Sequence, residues 1–146
     1  MINLHEELLK ILQEEKNLLE SLYKIVSKER DAIVALSSNE LERIVREKET
    51  VLTKLSLWEH ERKKLLAKHD LSDKSLSEII LQIENIKDAQ SLKEIYSAMK
   101  TLLTAIGEIQ KINEQLIDRS TIQIATAIKF LETFGIEPMQ SLSREA

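Results

Sequence analysis

The chain has 146 residues, a formal net charge of -4, two glycines, one proline and no cysteine. So few turn formers exclude a β-rich fold of this length, and the lack of cysteine excludes disulfides and thiol chemistry. The mild acidity argues against a nucleic-acid partner, which needs a basic footprint, while 42% hydrophobic and 32% charged residues suit long amphipathic helices.

The first predicted helix covers residues 4–36. A 4-3 spacing joins Leu4, Leu8, Ile11, Glu15, Leu18, Leu22, Ile25, Glu29, Ala32 and Leu36, and a second row runs through Leu12, Leu19, Val26 and Ile33. The two rows form a stripe wide enough for bundle packing rather than a narrow two-helix seam. Residues 37–40 break the pattern, and Ser37 with Glu40 or Asn39 with Glu42 fits a capping box.

The second helix runs to about residue 68, with a stripe of Leu41, Val45, Lys48, Leu52, Leu55, Glu59, Arg62 and Leu66. A short connection makes the two helices antiparallel neighbours. Residues at one level of such a hairpin share a constant number sum. Glu29 with Lys48 and Glu15 with Arg62 share the same sum, so each acidic interruption faces a basic one. Two cross-helix ion pairs that set register are expected, the alternative being side chains that reach solvent from the stripe edge.

A polar connection follows at residues 69–75. Ser75 with Glu78 forms a capping box that opens a short helix through Leu76, Ile79, Ile80, Ile83 and Ile86. A second break is expected at residues 88–91, where Ser91 with Glu94 again fits a cap. The last helix then runs over residues 91–134, about 65 Å at 1.5 Å per residue. Its row reads Leu92, Tyr96, Met99, Leu103, Ile106, Gln110, Asn113, Ile117, Ser120, Ile124, Ala127, Leu131 and Phe134, and Gly135 and Pro138 are placed to stop it. The expected fold is all-α: an elongated antiparallel helical bundle or coiled coil of three long helices plus one short one. Residues 1–136 form one domain and residues 137–146 a mobile tail.

Catalytic chemistry has no foothold. None of the three histidines, His5, His60 and His69, belongs to an HExxH or Glu-x-x-His unit, and no glycine-rich loop could cradle a phosphate. No enzyme activity, cofactor or metal is expected. No segment is apolar enough to enter a membrane, and His5, Glu6 and Glu7 stand where a signal peptide would be basic and then apolar, which points to the cytoplasm.

Two features point to binding. Gln110, Asn113 and Ser120 interrupt the last helix either as a register-setting polar layer or as a partner contact. Its end, with Ile122, Ile124, Ala125, Ala127, Ile128, Phe130, Leu131 and Phe134, is apolar nearly all round. That surplus needs a cover: a partner, the tail, or a second copy in a homo-oligomer. The candidate partner-binding residues are Ile117, Ile124, Ile128, Leu131 and Phe134.

The stretch Glu29-Arg30-Asp31-Ala32 before a break, the leucine-spaced second helix with Lys48 and Arg62, and Asn113, Leu116, Ile117 and Ser120 in the last helix together resemble the FlgN family of flagellar type III export chaperones. Gln110 departs from the family, which often has asparagine there, and the tail has no match. The resemblance implies a chaperone that binds hook-associated proteins, shields their apolar C-terminal helix and delivers them to the membrane export gate. It implies no cofactor. The competing expectation from the residues alone is a structural coiled-coil scaffold or tether that self-associates.

Overall fold

The computed structural model describes residues 4–82, 86–133 and 135. Among the described residues four helices follow in order: α1 (Leu4–Val34), α2 (Ser38–Lys68), α3 (Leu76–Leu81) and α4 (Ile86–Thr133). No strand occurs among the described residues, and the fold is an all-α bundle of three long helices and one short one.

Helix α1 is the shared partner. It packs against α2 and against the first part of α4, while α3 packs on α4. Its buried positions are Leu8, Leu12, Glu15, Leu19, Leu22, Ile25, Val26, Glu29, Ala32 and Ile33. They draw on both sequence rows, because one helix must serve two neighbours and therefore buries a broad face.

Helix α2 returns antiparallel to α1. Helix α4 then runs in the same direction as α1: Leu92, Ile95 and Met99 cluster with Leu8, Leu12 and Leu19, while Ile109 lies with Leu22 and Val26. Leu71, Leu76, Ile79 and Ile80, from the connection and α3, join the first cluster. The bundle is thus sealed at the end where α1 begins. A helix of six residues is unstable in isolation, so α3 owes its existence to this packing.

The helix ends follow local chemistry. After Val34 the chain closes with Ser37 N–H donating to Ala32 O (3.1 Å) and Leu36 N–H to Ile33 O (3.1 Å), a Schellman pair. Leu36 takes φ 54, the left-handed region usually left to glycine, at a cost of about 1–2 kcal/mol. A similar pair ends α2, with Leu71 N–H bonded to Leu66 O (2.9 Å), Asp70 N–H to Ala67 O (3.2 Å), and Asp70 at φ 57. Ser37 occupies the N-cap of α2 in an extended conformation but its hydroxyl makes no capping bond. The Ser75 hydroxyl does cap α3, accepting from Glu78 N–H at 3.2 Å.

One boundary differs from expectation. The helix expected to start at Ser91 starts at Ile86, and no break falls at residues 88–91. That stretch holds neither glycine nor proline, and Gln90 Nε2 donates to Glu94 Oε1 (3.1 Å) one turn on, so the helix has no reason to stop. The result is a helix of 48 residues, about 72 Å long, against 31 residues and about 46 Å for α1. Ile83, Phe134, Pro138 and the tail expected at residues 137–146 lie outside the described residues.

Candidate partner-binding site

Two ionic layers cross the bundle. In the first, Arg62 Nε on α2 lies 2.9 Å from Glu15 Oε1 on α1. Both atoms are buried, and the Arg62 guanidinium acts on the carboxylate through its charge and through side-chain hydrogen bonding. Burial pushes the Glu15 carboxyl above its ordinary range, and the attraction of Arg62 only partly offsets this.

The second layer is larger and joins all three long helices. Lys48 Nζ lies 3.3 Å from both carboxylate oxygens of Glu29 and donates to Gln110 Oε1 at 2.7 Å. Asn113 Nδ2 donates to Glu29 Oε1 (2.9 Å) and to Val26 O (3.0 Å). Glu29 and Asn113 are buried. Gln110 and Asn113 therefore turn inward, one toward the cation of α2 and one toward the carboxylate of α1. Ser120, third of the polar trio in the sequence, is half-buried and stands outside this layer.

Asn113 also gives the register of α4 on α1. Its two bonds span 87 and 84 positions in the chain. At that offset Val34, the last residue of α1, lies level with about residues 118–121 of α4. Roughly 12 to 15 residues of α4, about 18–22 Å, thus run past the α1–α2 hairpin.

The candidate binding residues sit on this overhang. Ile117, near its root, is exposed; Ile124, Ile128 and Leu131 are half-buried. The 4-3 row that carries Ile106 and Asn113 runs on through Ile117, Ile124 and Leu131, with Ile128 beside it, so the strip continues the face by which α4 packs on α1. Ile122 lies off that strip and is also exposed. Between residues 120 and 131 the only charge is Lys129. Phe134 and the side chain of Phe130 fall outside the description. At the foot of the overhang Val34 and Leu36 are strongly exposed. Sequence patterning did not single these two out as surface residues, because Leu36 fits the apolar row and only the left-handed turn removes it.

The family model for FlgN protein matches residues 1–133. The chain belongs to the FlgN family. The family is one of flagellar export chaperones, not of enzymes, and the FlgN match extends from α1 to the end of α4. Neither the curated proteins nor the solved structures contain a match. Among the described residues of this FlgN-family chain, no three His, Cys, Asp or Glu side chains are grouped to hold a metal ion. No described helix is long and apolar enough to cross a membrane.

Proposed function

We propose that this FlgN-family protein acts in the cytoplasm, binds the amphipathic C-terminal helix of hook-associated proteins, and delivers them to the type III export gate. The observation that carries this reading is the overhang of α4. A packing face of Ile124, Ile128 and Leu131 outruns the helix it packs against and carries almost no charge. A cargo helix laid on that face would bury apolar surface on both partners. Ile117 and Phe134 extend the proposed contact at either end.

Calorimetric titration of the chain with C-terminal segments of hook-associated proteins from the same genome tests it. Binding with a negative heat-capacity change is the expected result. Leu131→Asp should abolish that binding and leave helicity unchanged. Normal binding by the variant would remove the site from α4. No binding by the parent chain, with concentration-independent self-association, would give the face to a homo-oligomeric scaffold instead.

The ionic layers have a separate proposed role in alignment. Sliding α2 by one turn would take Lys48 from Glu29 and Arg62 from Glu15 together, stranding two buried carboxylates. Such layers specify register more than they add stability.

A further inference from the structure

At the root of the overhang, three observations coincide. The packing strip of α4 leaves α1 there. The hairpin tip below it exposes two apolar side chains, Val34 at 67% and Leu36 at 73%. Leu36 also holds a left-handed backbone, φ 54, that glycine or asparagine would hold at lower cost. An exposed leucine at that position helps neither the core nor the helix end, and strained residues of this kind gather at binding sites.

We propose that Val34 and Leu36 form the floor of a notch whose wall is the α4 strip, and that the end of the cargo's amphipathic helix seats on that floor. This rests on the chaperone reading above and adds to it a stop that sets how far along α4 the cargo helix can slide. The occupant follows from the existing α1–α4 interface. The strip is the same face of α4 carried onward, so the shape that fits it is a helix on the line α1 would have followed. The overhang holds three to four turns of such a helix. With Lys129 the only charge between residues 120 and 131, the facing side of the cargo helix is apolar, with anchors at i, i+3 or i+4, and i+7.

The floor makes an unusual demand on one residue: Leu36 is better for binding and worse for folding than glycine. The test compares the full chain with Leu36→Gly and Leu36→Asn, using a C-terminal hook-associated segment that binds the parent chain. Both variants should raise the thermal midpoint by several degrees, since the strain is relieved. Both should weaken segment binding about tenfold, since one buried leucine contact is lost. Unchanged binding in both variants overturns the proposal, as does a lowered midpoint in both. Leu131→Asp separates the two readings. If it abolishes binding while the Leu36 variants bind normally, the α4 site stands and only the floor falls. If it binds normally, the chaperone site itself is misplaced.

Discussion

The two halves of α4 carry one apolar row and meet different fates. In the first half Leu92, Ile95, Met99, Ile109 and Asn113 are buried. In the second half no described residue past Asn113 is buried, although Ile117, Ile124 and Leu131 keep the same spacing and Ile128 lies beside them. The difference does not lie in α4. It lies in α1, which ends at Val34 and leaves the row without a neighbouring helix among the described residues. Periodicity therefore states which face of a helix needs a cover, and the length of the neighbouring helix decides whether the fold supplies it.

The largest expected effect lies at the polar layer that ends the packed half. Lys48→Met leaves the Glu29 carboxylate buried with Asn113 as its remaining side-chain donor. Loss of one partner from a buried pair costs about 3–5 kcal/mol, measurable as a fall in the denaturant midpoint. Leu131→Asp in the overhang should leave that midpoint nearly unchanged. Equal losses at both sites would erase the distinction between the halves.

A smaller effect concerns pH. The Glu15 carboxyl is raised by burial, so the folded chain holds this proton more tightly than the unfolded one. Its contribution is fully present below the ordinary glutamate range and is lost as pH rises through the raised value. Glu15→Gln cannot titrate. Relative to the parent, its stability should therefore improve as pH rises from the ordinary glutamate range through the raised value. A difference between the two proteins that is constant with pH would show that Arg62 holds Glu15 at its ordinary value.

Much of the bundle was legible in the residues because the relevant constraints are local. The α1–α2 hairpin needs only a break and a constant sum, and Glu15 does meet Arg62 while Glu29 meets Lys48. The register of α4 was not legible. It depends on the path of the connection and α3, whose length does not determine which residue of α4 meets Val26. Asn113 supplies that information only once its bonds to Val26 and Glu29 are seen. The break expected at residues 88–91 came from a Ser91–Glu94 capping pattern, a signal that a continuous helix tolerates. The exposure of Leu36 is not legible either, because a leucine in the left-handed region looks, in a sequence, like one more member of an apolar row.

On the chaperone reading, the overhang of α4 is a helix face held open for cargo. Hydrogen exchange of the chain alone and with a C-terminal hook-associated segment tests it most directly. The expected result is fast exchange across residues 121–133 in the free chain and strong slowing there on binding, with residues 92–113 protected in both states. Protection of residues 121–133 in the free chain, or slowing confined to α2 and the first half of α4, would contradict it.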